Sequence, residues 1–222
     1  VRRRPVLPAW FAALQVGLVC GVPTQIAISV FLILGTNLPI MNGDTATIDF
    51  FAMLALLDTA LVALLIRVFL LLSGETSRDV FLGVRSSWRE ALRGLVLVPV
   101  LLVVASGLGL GLRFIAPWTH NVAVNPLESY MHSPIEAGIF IVVVILAGGM
   151  REELQRAFIL HRFEQRLGGV RVGLAVYTCV FFLFHLIQGL DAAITVGFLG
   201  LLWGVIYIRR RSAVTGIVSH AG

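Results

Sequence analysis

One stretch in the second half of the chain decides the fold: residues 141–160 read IVVVILAGGM REELQRAFIL. Two adjacent carboxylates, Glu152 and Glu153, stand between a long apolar run and the apolar residues 157–160. A charge at the middle of a bilayer costs at least about 2.5–3.5 kcal/mol on insertion scales. The alternative is a helix that leaves the membrane at Arg151, and the return to apolar residues argues against it. The stretch therefore predicts a membrane-spanning helix with functional charges.

The composition supports a membrane protein. Of the 222 residues, 58% are hydrophobic and 13% are charged, and the mean hydropathy is +0.95. Soluble domains carry roughly 25% charged residues. Soluble globular, disordered, collagen-like and disulfide-stapled classes are therefore excluded. The net charge of +5 does not indicate nucleic acid as a partner, because the arginines punctuate apolar runs.

The apolar runs predict six spans, at about 9–35, 48–73, 94–113, 134–162, 170–188 and 191–208. A seventh begins near 213, and its ten residues would rise only roughly 15 Å, so we expect the last helix to be truncated. The predicted fold is an all-α polytopic membrane protein with about seven transmembrane helices. Residues 1–222 are expected to form a single membrane domain, in which 1–133 contain the N-terminal spans and an interfacial helix and 134–222 form the core.

The arginines predict the orientation of the spans. All 17 basic residues are arginine, and all of them except Arg113 fall on one side when the spans alternate. Cytoplasmic loops carry an excess of such residues. We therefore expect the N-terminus, with Arg2–Arg4, to be cytoplasmic, in a bacterial plasma membrane.

Residues 77–93 form a separate element in this prediction. Apolar residues recur at near-helical spacing, and three arginines form a stripe at every fourth position: Phe81, Val84, Trp88 and Leu92, with Arg85, Arg89 and Arg93. This pattern favours a short interfacial helix on the cytoplasmic lipid surface. The alternative is a plain solvated connector.

Ionisable residues inside a membrane span are functional candidates, and seven of them stand out here. They are Asp58, Arg67, Glu152, Glu153, Arg156, His185 and His220. Asp58 and Arg67 are nine residues apart and lie on opposite faces of one helix, so they cannot pair. We expect structural roles for both, with Asp58 bonded to a neighbouring helix.

The other candidates are predicted to lie at similar depths in the membrane. Arg156 lies one turn from both Glu152 and Glu153, so it can hold one glutamate ionised while the other faces a cavity. A turn near residues 167–168 places Glu152 and His185 at similar depth, each roughly 22–26 Å from it. His220 lies roughly 14 Å beyond the arginines at 209–211. These groups can activate water for hydrolysis, either directly or through a metal.

The ordered motifs resemble those of the CPBP intramembrane proteases, a family that includes CAAX prenyl endopeptidases. The resemblance covers about 134–222 and rests on the glutamate pair followed by arginine, on Phe181-x-x-x-His185, and on His220 in a last helix. It implies that Glu152 activates the attacking water with help from His185, and that His220 stabilises the oxyanion.

The resemblance also implies supporting roles. Glu153 and Arg156 would orient the site, and Phe181 would pack beside His185. Members of the family are called metalloproteases, so a divalent metal such as zinc is the cofactor implied, although its ligands stay unassigned.

Two departures from the family pattern are present. Only two residues, rather than three, separate the glutamate pair from Arg156. The Asn or Asp that follows the last histidine by four residues would stand at position 224, after the end of the given sequence.

The predicted function is an intramembrane endopeptidase that cleaves a peptide or membrane-protein substrate near the cytoplasmic face of the lipid bilayer. A proton- or ion-coupled transporter is one alternative, and it would require paired broken helices in two halves. A non-catalytic membrane scaffold of the same fold is the other. The sequence leaves the oligomeric state open.

Overall fold

The chain folds as a helical bundle in the computed structural model, which describes residues 7–42 and 45–222. The α-helices are α1 (Ala9–Val19), α2 (Val22–Gly35), α3 (Ile48–Leu72), α4 (Ser87–Ile115), α5 (Pro134–Val143), α6 (Glu152–Arg166), α7 (Val170–Phe184), α8 (Leu190–Arg210) and α9 (Val214–Ala221). π-helical segments occupy Arg78–Leu82 and Val144–Arg151, and 3₁₀ turns occupy Pro117–Thr119, Pro126–Tyr130 and Leu186–Gln188. The short strands β1 (Met41–Asn42) and β2 (Thr45–Ala46) pair antiparallel.

Within the described residues, five helical stretches are long and apolar enough to cross a membrane. They are α3, α4, Pro134–Arg166, Val170–Gln188 and α8, and the pair α1–α2, bent by 45°, makes a sixth if it is one span. The predicted all-α polytopic membrane fold is therefore confirmed. The eight-residue α9 stands where the truncated seventh span is predicted. Arg2–Arg4 lie outside the described residues, and the cytoplasmic orientation stays a prediction.

The predicted surface helix over 77–93 is wrong as a single element. The chain forms the π-helical turn Arg78–Leu82 and then α4, which begins at Ser87 and continues to Ile115. Gly83 separates the two with a φ of +60°, a left-handed conformation that favours glycine. The apolar spacing that predicts one helix therefore belongs to two elements.

The π-helical turn is held by hydrogen bonds from a later part of the chain. The amide of Ala213 donates a hydrogen bond to the Phe81 carbonyl at 2.8 Å. The Tyr207 hydroxyl donates to the Val80 carbonyl at 3.1 Å. Both contacts attach the turn to α8 and to the connection that leads into α9.

The start of α5 follows the sequence signal. The amide of Glu136 donates to Ser133 Oγ at 3.2 Å, and Ser133 Oγ donates to the Glu136 carboxylate at 3.1 Å. This exchange, with Pro134 in the first helical position, satisfies donors at the beginning of the helix. The wider π-helical turn Val144–Arg151 then leads into α6 at Glu152.

An apolar core joins the N-terminal helices to α6. Its buried members come from α1, α3, the π-helical turn and α6: Val19, Val62, Ile66, Phe69, Leu70, Val80, Phe158 and Ile159. The rings of Phe69 and Phe158 stack with centroids 6.4 Å apart. This packing fixes α6, and with it the glutamate pair, against the first half of the chain.

A buried polar network closes the end of this core after α3. The guanidinium of Arg162, which is fully buried, donates to Glu75 at 2.5 Å and to Gln15 at 2.6 Å. Glu75 also contacts His161 at 2.6 Å and accepts from Gln165 at 2.5 Å. The network connects α1, the segment after α3, and α6.

The surroundings of Glu75 change the pKa of its carboxyl group. Burial raises this pKa, but hydrogen bonds with His161, Arg162 and Gln165 outweigh burial and lower it from 4.5 to about 2. The ionised form of Glu75 is therefore stabilised in the folded state.

The helix α9 lies directly against the π-helical segment. A Cβ added at Gly149 would stand 2.6 Å from Ala221 Cβ and 2.9 Å from its Cα. A Cβ added at Gly148 would meet only Val144 Cγ1, at 3.7 Å. The glycine at 149 thus permits the close approach that brings His220 to the glutamate pair.

We expect ionised Glu75 to stabilise the fold in a pH-dependent manner. Because the folded pKa lies below the unfolded value, this contribution is present above about pH 4.5 and is lost as the pH falls toward about 2. Thermal melting of the purified protein from about pH 7 to about pH 3 measures it. Glu75→Gln should melt lower at neutral pH and lose this pH dependence, whereas the exposed Glu128→Gln should keep it. A pH dependence unchanged in Glu75→Gln would contradict the assignment.

We expect Gly149→Ala to displace α9, since its methyl group overlaps the backbone of Ala221. Overpacking of this kind costs typically about 1–3 kcal/mol, so the melting temperature should fall. The neighbouring Gly148→Ala is the matched control, with open space for its methyl group and an unchanged or slightly higher melting temperature. Equal melting temperatures for the two variants would show that the contact is not tight.

Candidate active site

The two adjacent glutamates face different surroundings. Glu153 has a side chain that is 2% exposed and forms an ion pair with Arg156 Nη1. The Glu152 side chain is 17% exposed and lines two cavities. The spacing leaves open which glutamate the arginine reaches, and the structure shows that it is Glu153. Glu152 is left as the carboxylate that faces open space.

Arg156 is enclosed by aromatic rings. Its side chain is fully buried, and its guanidinium carbon lies 5.0 Å from the ring centroid of Tyr177, 5.1 Å from that of Phe181 and 5.6 Å from that of Trp203. Its Nε and Nη2 have no hydrogen-bond partner within the described part of the chain. Aromatic faces attract a cation within about 6 Å, so the cage partly replaces the missing bonds and fixes the guanidinium beside Glu153.

His220 on α9 connects the two glutamates. Its Nδ1 lies 3.1 Å from Glu153 Oε1, and its Nε2 lies 3.8 Å from Glu152 Oε2. The imidazole stacks on Trp203 with centroids 3.8 Å apart and planes inclined by 16°. The indole Nε1 in turn donates to Ser219 Oγ at 3.1 Å. Since a carboxylate only accepts, Nδ1 carries the proton directed at Glu153.

His185 at the end of α7 presents one ring nitrogen to open space. Its Nδ1 lies 2.7 Å from the carbonyl oxygen of Phe181. A carbonyl only accepts, so Nδ1 is the protonated nitrogen, and Nε2 of the neutral ring is free to bind a proton or orient water. The Phe181 ring packs beside the imidazole, with centroids 4.5 Å apart, as the resemblance implies.

The first cavity is apolar and lies among α1, α2, α6 and α7. Its volume is about 310 Å³. Most of its walls are hydrophobic side chains, including Val16, Ile159, Phe163, Val180 and Phe184. The break between α1 and α2, at Cys20 and Gly21, lies on its wall. We name it the α7 cavity.

The second cavity lies between α3 and the π-helical segment and has a volume of about 330 Å³. Phe51, Leu54, Val143 and Ala147 line it together with polar groups, among them His220. We name it the α3 cavity. Gln25, Arg151, Glu152 and His185 line both cavities, so they stand at the junction between them.

Asp58 on α3 reaches this junction. It accepts from Thr24 Oγ1 and from Gln25 Nε2 on α2, the latter at 3.4 Å. The predicted bond from Asp58 to a neighbouring helix is therefore confirmed, while Arg67 is exposed, as its separation from Asp58 allows. Arg151 Nη1 also donates to Asp58, at 2.5 Å. The arginine pattern indicates only a topology role for Arg151, so this pair is not predicted from the sequence.

The five predicted site residues thus lie in one region of the bundle. Glu152, His185 and His220 line the α3 cavity, and Glu153 with Arg156 lies behind His220. Two neighbours were not predicted. Trp203 supports the His220 ring, and the Tyr177 hydroxyl donates to the Glu152 carbonyl at 3.2 Å. Both are aromatic residues inside apolar spans, where their type gives no sequence signal of a site.

The described residues show no close group of metal donors. Among residues 7–42 and 45–222, no three His, Cys, Asp or Glu side chains are grouped closely enough to hold one. His185 and His220 both direct Nδ1 at protein oxygens, and Glu153 forms an ion pair with Arg156.

Comparison with known proteins identifies the C-terminal segment. Residues 134–222 match the family model described as Type II CAAX prenyl endopeptidase Rce1-like. No match was found among curated proteins or solved structures. The matched range begins at the N-terminus of α5 and contains Glu152, Glu153, Arg156, His185 and His220. The resemblance that the motifs indicate is therefore confirmed over residues 134–222, which are similar to the Rce1-like type II CAAX prenyl endopeptidases.

Proposed function

We propose that the chain is an intramembrane endopeptidase that hydrolyses a peptide bond at the junction of the α7 and α3 cavities. The observation that carries this proposal is that the two adjacent glutamates have different surroundings. Glu153 is buried and paired with Arg156, whereas Glu152 lines both cavities with His185. A carboxylate that faces a cavity beside an imidazole is arranged to accept a proton from water.

In the proposed reaction, Glu152 removes a proton from a water molecule oriented by His185 Nε2. The water oxygen attacks the carbonyl carbon of the substrate, and the electron pair of the C=O bond moves to oxygen. Collapse of this intermediate breaks the C–N bond, and protonated Glu152 transfers its proton to the leaving nitrogen. The site thus returns to its starting state with one water consumed.

His220 is the proposed oxyanion partner. Its ring is fixed by Trp203 and by Glu153, and its Nε2 is directed toward the Glu152 carboxylate. A donor fixed in advance where negative charge develops stabilises a transition state without reorganisation. Because Nδ1 donates to Glu153, the role requires the imidazolium form of His220, which carries a second proton on Nε2.

The substrate class follows from the walls of the cavities and from the family. Hydrophobic side chains dominate the α7 cavity, which suits the apolar residues of a membrane peptide or membrane protein. The family description refers to CAAX prenyl endopeptidases, and we propose a CAAX-like peptide as the first substrate to test. The arginine distribution favours cleavage near the cytoplasmic face of the bilayer.

Replacement of Glu152 tests the proposal directly. Glu152→Gln removes the proton acceptor and keeps the size of the side chain, so peptide cleavage should fall roughly 100- to 10,000-fold. Glu164→Gln, on the same helix and paired with Arg211 at the surface, is the matched control and should cleave like the unmodified protein. Cleavage of a fluorogenic CAAX peptide by the purified proteins is the measurement.

Two outcomes of this experiment would contradict the proposal. Equal cleavage by Glu152→Gln and by the unmodified protein would remove Glu152 from the mechanism. A folded, unmodified protein that binds the peptide without cleaving it would favour the non-catalytic scaffold.

Metal removal tests the donor geometry. The described residues contain no close group of metal donors. We therefore expect cleavage to survive dialysis against a chelator. Metal analysis of the same sample checks that the metal has been removed. Cleavage that is lost on dialysis and restored by zinc would instead assign a metal to the site.

A further inference from the structure

Arg151 lies between two carboxylates at the junction of the cavities. Its Nη1 is 2.5 Å from Asp58 Oδ2, and its Nη2 is 3.8 Å from Glu152 Oε1. The arginine side chain is 12% exposed, so little water can compete for its charge. Whether Arg151 pairs with Asp58 or with Glu152 therefore decides whether the Glu152 carboxylate is available to water.

The structure favours Asp58 as that partner. Asp58 is 1% exposed, and Thr24 and Gln25 both donate hydrogen bonds to it from α2. The Arg151 Nε also donates to the Ala147 carbonyl, at 3.3 Å, within its own helical segment. These contacts orient the guanidinium toward α3 and away from the cavity side of Glu152.

Loss of the Asp58 charge would redirect the arginine. A buried charge without a partner is strongly unfavourable, and Glu152 is already within 4 Å of Arg151. A carboxylate held by a guanidinium accepts a water proton poorly, because its lone pairs are engaged and its negative charge is compensated. Asp58 itself does not line the α7 cavity, so the same variant would leave the apolar walls of that cavity unchanged.

We propose that Asp58 is a positioning residue that holds Arg151 off Glu152 and so keeps the Glu152 carboxylate free for the attacking water. This inference rests on the proposed function, since it concerns the same carboxylate. It places part of the working site on α2 and α3, outside the segment that matches the family.

The test is a double-mutant comparison of kcat and KM for peptide cleavage. Asp58→Asn should lower kcat by about tenfold, with KM changed less than about twofold, because Arg151 then pairs with Glu152. The double variant Asp58→Asn with Arg151→Gln removes the misdirected charge, so its kcat should recover above that of Asp58→Asn alone.

This recovery distinguishes positioning from a structural role. If the Asp58–Arg151 pair only stabilised the fold, the double variant would be no better than Asp58→Asn, and the inference would be overturned. Asp191→Asn is the matched control. Asp191 is also buried and paired with an arginine, Arg113, but it lines neither cavity, so its kcat should stay unchanged.

A second background keeps the test valid if Asp58→Asn does not fold. Thr24→Val removes one hydrogen-bond donor to Asp58 and leaves the negative charge of Asp58 in place. The value of kcat should therefore fall by a smaller factor than in Asp58→Asn. It should again recover when Arg151→Gln is added. If the addition of Arg151→Gln fails to restore kcat in both the Asp58→Asn and the Thr24→Val backgrounds, the inference is overturned.

The outcome is separable from failure of the proposed function. Loss of cleavage in Glu152→Gln together with wild-type kcat in Asp58→Asn would reject the positioning role alone. Cleavage that does not depend on Glu152 would reject the proposed function itself.

Discussion

The buried ion pair between Arg156 and Glu153 organises the C-terminal half of the structure. Removing two charges from water costs several kcal/mol per ion, and this cost is recovered only when geometry is good and further partners are present. Here those partners come from three other helices, as Tyr177 on α7, Trp203 on α8 and His220 on α9 contact one or the other ion. One buried charge on α6 thus determines how three neighbouring helices meet, and the interaction that stabilises the bundle also arranges the candidate site.

The π-helical segment controls which carboxylate meets the cavity. A π-helical turn contains more residues than an α-helical turn, so it rotates the helix that follows relative to the helix before it. α6 begins immediately after this segment, at Glu152. Gly149 in the same segment lets Ala221 approach closely, which brings α9 and its histidine to the glutamates. The π-helical segment therefore determines the direction of the glutamate pair and also leaves space for α9, which carries His220.

The spans and the site residues could be predicted because each leaves a local mark on the sequence. A span is a long apolar run, and Glu152, Glu153 and His185 are polar residues within such runs. The remainder depends on three-dimensional contacts. The break at Gly83 depends on its approach to the carbonyl of Arg211, 128 residues later, and the pair of Arg151 with Asp58 spans 93 residues. Spacing along the chain contains no information about such pairs, so residues 77–93 were predicted as one helix and Arg151 as a topology signal.

The two halves of the chain contribute different parts of the site. The groups that could perform hydrolysis lie on α6, on α9 and directly after α7, within the matched range. The space beside them is bounded by the first three helices, through Val16 on α1, Gln25 on α2 and Asp58 on α3. Substitutions in α1–α3 can therefore change the shape and polarity of both cavities while the glutamate pair and its histidines stay in place. On the proposed function, the N-terminal helices shape the space for the substrate and supply the Asp58 contact to Arg151, and the C-terminal helices supply the groups for the chemical step.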